Sequence, residues 1–339
     1  MKLGIMGHGP IVSNFLNAVT YVDNAAAAAI YNRPGSAEEG KAIAEKFSIP
    51  AIYNDFEAFL ADETVDTVYV ALPNSLHYEY AMRALNAGKN VLVEKPFTAT
   101  SSQARRLSQA ARDKGLFVFE GITTCFIPNI KKVRELLPRI GDISLVRCNY
   151  SQYSSRYDQL MNGELTNMFD PRFAGGSLMD INSYNVHLVA ELFGEPQFIE
   201  YFPRMGPSGV DTAGIAIMQY DSFPAALSGA KDSSSESFTI IQGRFGNLTI
   251  EGPAGVASGL TLELRGQEPE HYNLHTLPNR QSYEIAEMAR ILEEKDFAAR
   301  DRLLDHSLLV ARLLEEARQS AGITFQCDME DEASEEEQE

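Results

Sequence analysis

The chain has 339 residues, of which 44% are hydrophobic and 22% are charged, and these proportions are typical of a folded protein of about two domains. Its net charge at pH 7 is −18. That excess of carboxylates argues against nucleic-acid partners and against anionic membrane surfaces, because both are bound through Lys and Arg.

The cysteines and the N-terminus indicate a cytoplasmic protein. Cys125, Cys148 and Cys327 have no short spacing, so we expect neither a disulfide framework nor a zinc site, and no metal. The first residues run directly into a strand and show no signal peptide. No apolar run approaches the roughly 20 residues that a membrane helix needs.

Strands and helices alternate over the first 120 residues. Strands are predicted at 2–6, 25–31, 65–72, 90–93 and 116–119. Helices are predicted at 11–19 and at 101–114. Three more are predicted between them: one that opens with a capping box of Ser36 and Glu39, one that Asp55 caps and that ends near residue 60, and one that Asn74 caps and that ends at Gly88. Strict alternation predicts parallel strands joined by crossover helices, an α/β doubly wound sheet.

The second part of the chain has a different pattern. Strand-like segments follow one another near 143–153, 197–203, 212–220, 224–230, 237–243, 247–251, 260–264 and 271–276. Helices are predicted near 129–137, 177–193, 281–294 and 300–320. Consecutive strands predict an α+β domain with a large, mostly antiparallel sheet. The strands outnumber the helices that could cover them, so we expect an open sheet face.

The end of the chain is acidic and lacks apolar periodicity. Eight of the twelve residues 328–339 are Asp or Glu, so most of the remaining chain carries a more moderate charge. We therefore predict a nucleotide domain at 1–120, a second domain at 121–325 and a disordered acidic tail at 326–339, of which residues 328–339 are expected to be dispensable.

The first turn has the pattern of a dinucleotide site. Gly7-His8-Gly9-Pro10-Ile11 lies between a predicted strand and helix, the context that a Rossmann phosphate-binding turn requires. Gly7 permits the tight turn, and Gly9 permits close approach of the diphosphate to the helix N-terminus. The third glycine of the full motif is replaced by Val12, so a tight turn in another α/β protein is the alternative.

The end of the second strand bears on the choice of nucleotide. A carboxylate there would bind the 2′-hydroxyl of NAD, but the chain has Asn32-Arg33. A guanidinium suits the 2′-phosphate of NADP, so NADP is predicted and NAD is possible. The alternative is that Arg33 is a solvated loop cation.

Glu94-Lys95-Pro96 follows the strand 90–93. Lys95 is therefore expected at the carboxyl end of a parallel strand, where open α/β sheets bind ligands. Pro96 restricts Lys95 to extended geometry. Farther along, Asp180, Tyr184 and His187 are spaced to share one face of the helix near 177–193, beside an apolar face.

Four motifs together resemble the glucose–fructose oxidoreductase/inositol dehydrogenase family. They are the glycine turn at 7–9, Pro73-Asn74-Ser75-Leu76-His77, Glu94-Lys95-Pro96 and the stretch from Gly175 to Tyr184. Tyr184, where the inositol branch has His, resembles the dihydrodiol and xylose dehydrogenase branch. The resemblance implies NAD(P)-dependent hydride transfer at a carbinol or carbonyl carbon of a sugar, cyclitol or diol.

The resemblance also implies roles for residues. Catalytic roles fall on Lys95, Tyr184 and Asp180, and cofactor contacts on Gly7, His8, Gly9, Pro10, Ile11, Asn32, Arg33, Leu72, Pro73, Asn74, His77, Glu94 and Lys95. Tyr184 would exchange the proton, Lys95 would polarise the substrate oxygen and Asp180 would hold the substrate or the tyrosine. The roles of Lys95 and Tyr184 could be reversed.

One segment departs from the family pattern. Thr124 and Cys125 stand where relatives often carry Tyr and Arg, so substrate specificity is not implied; Tyr150, Tyr153, Arg156 and Tyr157 could supply contacts instead. Family members cover the open sheet face with a second subunit, which implies a homodimer or homotetramer. The alternatives are a non-catalytic NADP-binding regulator of the same fold and a reductase of a non-sugar acceptor.

Overall fold

The structure, a computed structural model, describes residues 1–33 and 35–329. It divides into two compact units, one formed by residues 1–121 with 277–308 and the other by residues 122–276 with the segment from 309 onward. We call them the nucleotide unit and the substrate unit, after the motifs that each contains. Among the described residues, no helix has both the length and the apolar character that crossing a membrane requires.

The nucleotide unit is built on a six-stranded parallel sheet in the order β3-β2-β1-β4-β5-β6. Its strands are β1 Lys2–Met6, β2 Ala26–Tyr31, β3 Ala51–Tyr53, β4 Thr67–Val70, β5 Asn90–Glu94 and β6 Val118–Gly121. The crossover helices are α1 Pro10–Val19, α2 Ala37–Phe47, α3 Phe56–Leu60, α4 His77–Asn86 and α5 Ser101–Lys114. The strand order reverses between β1 and β4, which confirms the predicted doubly wound sheet and marks where such sheets bind ligands.

Two C-terminal helices extend this unit, α9 Gln281–Glu294 and the first part of α10 Phe297–Ser320. Ser282 Oγ donates to the carbonyl of Ala18 at 3.0 Å, so α9 is fixed against the end of α1. The sequence assigned 277–308 to the second domain with the rest of 121–325, and the compact units differ there. Helical periodicity identifies an apolar face but does not say which sheet it covers.

The substrate unit contains an eight-stranded sheet in the order β14-β13-β12-β11-β7-β10-β9-β8. The strands are β7 Ile143–Ser151, β8 Phe198–Met205, β9 Asp211–Gln219, β10 Pro224–Ala230, β11 Phe238–Gly243, β12 Gly246–Glu251, β13 Gly259–Leu264 and β14 Glu270–Tyr272. All described neighbours pair antiparallel except β7 and β10, so the predicted mostly antiparallel sheet is confirmed. Its helices include α6 Pro128–Ile140, α7 Ser155–Met161 and α8 Ser183–Phe193.

Helices cover one face of this sheet, where α6 packs on β12 and β13 and α8 packs on β7 and β10. The side chains on the other face of β8 and β9 are exposed despite their size, including Phe198, Phe202 and Ile215. The expected open face is therefore present on the described strands, and at β8 and β9 it carries large apolar side chains beside polar ones such as Glu200.

The start of the acidic tail corrects the prediction that residues 326–339 are disordered. Gln326 to Met329 form a short helical turn, and Cys327 is buried. Asp328 pairs with Arg318, whose side chain is 1% exposed, with a distance of 2.7 Å from Nη1 to Oδ2. A buried guanidinium requires a counter-charge, and periodicity cannot reveal a single polar contact of this kind. Residues 330–339 lie outside the described residues.

We expect Asp328→Asn to lower the free energy of unfolding by about 2 kcal/mol or more, because it leaves the buried Arg318 with Glu315 as its remaining acidic partner among the described residues. The matched control is Glu316→Gln, which breaks the exposed pair with Arg312 on the same helix and should cost less than about 1 kcal/mol. Urea denaturation of the two variants checks this, and equal small losses would contradict it.

Candidate active site

The glycine turn after β1 leaves an open helix N-terminus in the nucleotide unit. Gly7 has φ +120°, and a Cβ there would lie 2.3 Å from the carbonyl oxygen of Ala71, so no side chain fits. Gly9 is the N-cap of α1, and a Cβ there would meet no atom within 4 Å. No side chain caps α1 and its first turn has no acidic residue. These features fit a diphosphate.

The two residues after β2 occupy different environments. Asn32 is 4% exposed, and its side chain fills the space beside Gly40, where a Cβ would lie 1.5 Å from Oδ1. Its Nδ2 has no hydrogen-bond partner among the described residues. Arg33 is half-exposed, and no carboxylate of the described residues pairs with its guanidinium. The guanidinium of Arg33 is thus available to a ligand, whereas the side chain of Asn32 points into the protein interior.

The loop between Arg33 and α2 differs from the sequence expectation. Ser36 is the N-cap residue of α2, but its side chain makes no capping bond. Instead Ser36 Oγ donates to the carbonyl of Arg33 at 2.9 Å, so the predicted capping box with Glu39 is wrong. The hydroxyl therefore stabilises the turn that carries Arg33.

His77 connects the ends of two parallel strands. Its ring is 0% exposed, with Nδ1 at 2.9 Å from the carbonyl of Pro96 and Nε2 at 2.8 Å from the carbonyl of Leu72. Burial lowers the pKa of His77, which favours a neutral ring that donates to one of these carbonyls. The ring thus lies between the segments after β4 and β5, and the cofactor contact expected of His77 stays a prediction. Asn74 begins the 3₁₀ turn before α4 and is not its cap.

The end of β5 is fixed by a buried contact. Tyr69 stacks on Phe15 of α1 with ring centroids 3.8 Å apart, and its hydroxyl donates to Glu94 at 2.6 Å. Burial raises the pKa of Glu94. Lys95 follows at the strand end and is half-buried, with a cis peptide bond to Pro96. The expected position of Lys95 at the carboxyl end of a parallel strand agrees with this geometry.

Two more buried carboxyl groups accompany Glu94. Glu120 at the end of β6 accepts a hydrogen bond from the backbone N–H of Phe97 at 2.9 Å. Glu284 of α9 is 1% exposed, and burial together with the charge of Glu94 raises its pKa well above the usual range. The sequence analysis missed Glu284, since a lone Glu in an amphipathic helix gives no signal of burial. Perturbed carboxyl groups of this kind are typical of functional sites.

In the substrate unit, Asp180 and Tyr184 lie on one helical segment. It begins with a π-helical turn, Leu178–Asn182, and continues without interruption as α8; we call Leu178–Phe193 the site helix. A π turn inside a helix is frequent at functional sites. His187 is fully buried, so the structure gives no support for a direct role in binding substrate.

Two asparagines fix the site helix to the sheet. The amide of Asn182 donates to the carbonyl of Leu227 and that of Asn185 to the carbonyl of Ser228, both at 3.0 Å. Gly229 permits this approach, because a Cβ there would lie 2.8 Å from Cβ of Asn182. The helix is thus held at a set position along β10.

Asp211 holds the N-terminus of the site helix. Its Oδ2 accepts from the backbone N–H of Leu178 at 2.7 Å and from the hydroxyl of Tyr201 at 2.6 Å. Gly176 has φ +119°, and a Cβ there would lie 2.2 Å from Oδ1 of Asp211, which explains why the motif has glycine there. Burial raises the pKa of Asp211 to about 6. The sequence analysis did not identify Asp211.

Lys231, which the sequence analysis also missed, pairs with Asp180. It directly follows β10, its side chain is 11% exposed, and its ammonium lies on Oδ2 of Asp180. The backbone N–H of Lys231 donates to the carbonyl of Thr212 at 2.8 Å. The two-residue periodicity of a strand over 225–231 could have indicated on which face of the sheet Lys231 lies, but not that an acidic side chain lies opposite it.

The ring of Tyr184 packs between an aromatic residue and backbone. Its centroid is 5.7 Å from that of Tyr150. A Cβ on Gly255 would lie 2.6 Å from the Tyr184 ring, and Thr123 Oγ1 donates to the carbonyl of Gly255 at 2.9 Å. Of the aromatic residues considered as substrate contacts, Tyr150 therefore lies beside Tyr184.

The other residues considered there lie in or beside α7. Tyr153 donates to Asp158 at 2.6 Å, and Tyr157 packs edge-on against Phe169. The contacts of Tyr153 and Tyr157 are thus made with residues of their own region of the substrate unit.

Family comparison covers both units. The profile of the oxidoreductase family with an NAD-binding Rossmann fold matches residues 1–122, and that of the GFO/IDH/MocA C-terminal domain matches residues 130–256. The chain belongs to the GFO/IDH/MocA oxidoreductase family. The resemblance inferred from the motifs is confirmed, and with it the fold class and the NAD(P)-binding Rossmann domain.

Relatives of known activity match over almost their full length. A scyllo-inositol 2-dehydrogenase (NADP(+)) of Bacillus subtilis (strain 168) is 32% identical over 97% of this chain and 99% of its own. A D-xylose 1-dehydrogenase (NADP(+)) of Haloferax volcanii is 29% identical over 95% of this chain and 97% of its own. A crystal structure of a 3-ketoreductase from Actinomadura kijaniata, in complex with NADP, has a TM-score of 0.78 over 94% of this chain and 97% of its own. At 23% identity, that likeness establishes the fold alone.

The raised pKa of Asp211 predicts a pH dependence of stability. Unfolded Asp211 releases its proton near pH 3.8 and the folded residue near pH 6, so its contribution to stability is present below the lower value and lost as pH rises through the interval. Relative to Asp211→Asn, the parent should lose on the order of 2 to 3 kcal/mol of unfolding free energy between pH 4 and pH 7.

Urea denaturation across that interval measures the difference. Asp170→Asn is the control of opposite sign, because hydrogen bonds from Arg172 lower the pKa of Asp170 and its contribution is lost as pH falls. Parallel pH profiles for the parent and Asp211→Asn would show that burial does not raise the Asp211 pKa.

Proposed function

We propose that the chain is an NADP-dependent oxidoreductase that transfers hydride between C4 of the nicotinamide and a carbinol or carbonyl carbon of a sugar, cyclitol or diol. The observation that carries the proposal is the site helix, which contains both Asp180 and Tyr184. The ammonium of Lys231, which follows β10, forms an ion pair with Asp180 of this helix. These groups bind hydroxyls and exchange protons. The activities named for the two dehydrogenase relatives support the same substrate class.

The nucleotide unit offers the groups that would hold the cofactor. The open N-terminus of α1 at Gly7, His8, Gly9, Pro10 and Ile11 suits the diphosphate. Arg33 suits the 2′-phosphate, and Leu72, Pro73, Asn74 and Glu94 are proposed to border the nicotinamide ribose or ring. When bound, the nicotinamide supplies or accepts the hydride.

The proton is proposed to move through Tyr184. Lys and Tyr are both protonated in water at neutral pH, so neither is a strong base unless its surroundings favour the deprotonated form. In our proposal Lys95 orients and polarises the substrate oxygen, Tyr184 exchanges the proton of that oxygen, and Asp180 binds a substrate hydroxyl. Lys95 and Tyr184 would act together in the same proton-transfer step, and their roles could be reversed.

The preference for NADP is tested at Arg33. Arg33→Ala removes one charge-assisted contact to the 2′-phosphate, which is worth roughly 1.5–3 kcal/mol, so NADP(H) binding should weaken about tenfold or more while NAD(H) binding changes little. Lys41→Ala on the exposed side of α2 controls for the lost charge. Fluorescence titration with both reduced coenzymes gives the affinities. Unchanged NADPH affinity would mean that Arg33 is a solvated loop cation.

The chemistry is tested with aldoses, cyclitols and trans-diols and NADP⁺, followed at the reduced-nicotinamide absorbance. Lys95→Met and Tyr184→Phe should each lower kcat/KM on the order of 10²–10⁴-fold with much smaller changes in coenzyme affinity. The double variant should be little worse than the worse single variant. Lys114→Met and Tyr21→Phe, both at exposed sites, are the controls.

Two outcomes would overturn the proposal. Near-normal turnover by Lys95→Met on a good substrate would refute this mechanism. A parent protein that binds NADPH tightly but turns over no member of the panel would be a regulator of the same fold, or a reductase of a different acceptor.

We also propose a homodimer or larger assembly through the open sheet face. Phe202 on β8 is 60% exposed and lies opposite Ile215 on β9, which is 46% exposed. Phe198 and Met205 extend the same strand with comparable exposure. Exposed apolar side chains in such a cluster are typical of protein interfaces.

The paired change Phe202→Glu with Ile215→Glu should convert the assembly to monomers, because it places two carboxylates in the apolar cluster. Phe245→Glu, at another exposed phenylalanine of the same unit, should leave the assembly intact. Light scattering at micromolar concentration measures the mass. A monomeric parent, or an unchanged mass in the double variant, would contradict this interface.

A further inference from the structure

We propose that Lys231 is a specificity-determining residue that donates a hydrogen bond to the substrate hydroxyl next to the reacting carbon. The inference rests on the proposed function, since it assigns to the same site the substrate feature that it recognises. It concerns a residue that no motif of the chain identifies.

The first observation is the burial of the Lys231 ammonium. Lysine is rarely this buried unless its charge is paired, and Lys231 is only 8% exposed. An ammonium has three N–H donors. Among the described residues, Asp180 alone accepts from it, so two donors are left for a ligand.

The second observation is that the site helix is anchored without this ion pair. Asn182 and Asn185 bond to β10, and Asp211 holds the helix N-terminus. A buried ion pair seldom adds net stability beyond what apolar packing would give. The pair between Lys231 and Asp180 is therefore better explained by a role in binding than by a role in holding the helix.

The third observation concerns the neighbouring acid. Asp232 follows Lys231 directly, yet its carboxylate accepts from Thr212 Oγ1 at 2.7 Å and pairs with Arg204. Asp232 is thus paired away from Lys231, whose ammonium is directed instead to the acid of the site helix. Asp180 keeps the Lys231 charge compensated while the remaining donors stay available.

A carboxylate and an ammonium in contact recognise adjacent hydroxyls. Asp180 can accept from the hydroxyl hydrogen of one carbon, and Lys231 can donate to the hydroxyl oxygen of the next. A substrate that lacks the second hydroxyl would leave a buried donor unsatisfied, and such mismatches are strongly discriminated. The inferred substrate class is a polyol with a hydroxyl vicinal to the reacting carbon.

The test compares each polyol with the analogue that lacks the vicinal hydroxyl. The pairs are trans-cyclohexane-1,2-diol with cyclohexanol and D-xylose with 2-deoxy-D-xylose, assayed with NADP⁺ on the full chain. The parent should prefer the complete polyol, and Lys231→Met should reduce the ratio of the two kcat/KM values by about 10- to 100-fold. The ratio cancels any loss common to both substrates, such as a disturbed Asp180.

Lys231→Arg keeps the positive charge and should retain part of the preference. Lys132→Met is the control, because it breaks an exposed pair with Glu135 in the same unit and should not change the ratio. If Lys231→Met does not fold, judged by thermal denaturation, Lys231→Gln replaces it with the same expected direction.

The outcomes separate the two proposals. A parent inactive on every polyol of the panel overturns the proposed function. An active parent whose preference for the vicinal hydroxyl persists in the folded Lys231 variants overturns the inference alone. Loss of that preference, with turnover of the deoxy analogue retained, supports it.

Discussion

The substrate unit depends on one buried carboxylate at the start of its site helix. Asp211 accepts from the backbone of Leu178 and from Tyr201, and its close approach requires glycine at 176. Because the helix start is fixed there and the asparagines at 182 and 185 fix its position on β10, Asp180 and Tyr184 project from a rigid element. Rigid support of this kind is what a site for oriented hydroxyl chemistry requires.

The nucleotide unit has a comparable constraint at the carboxyl ends of its strands. The buried ring of His77 lies between the carbonyls of Leu72 and Pro96, so it packs between the segments that follow β4 and β5. Glu94 and Glu284 are buried with raised pKa values, an arrangement that costs stability. A protein selected for stability alone would have apolar residues there, so the free-energy cost of these buried carboxyl groups is consistent with a functional site at this end of the sheet.

Much of the architecture could be predicted because its signals are local and repeated. Alternating strands and helices determine a parallel sheet, and consecutive strands determine an antiparallel one. The glycine turn and Glu94-Lys95-Pro96 fall at strand ends as expected. The expected cap at Asn74 and the capping box at Ser36 were wrong, because a cap depends on one hydrogen bond whose alternatives differ by little free energy.

The sequence by itself determined the family, the two kinds of sheet and the positions of Lys95, Asp180 and Tyr184 along their elements. Only the tertiary structure decided the partners of the polar groups. Lys231 meets Asp180 across 51 positions, Asp211 meets Leu178 across 33, and Asp328 meets Arg318 at the end of the last long helix. Periodic patterns report which face of an element is apolar, whereas a buried charge is satisfied by a single partner that only the packing of distant segments brings into reach.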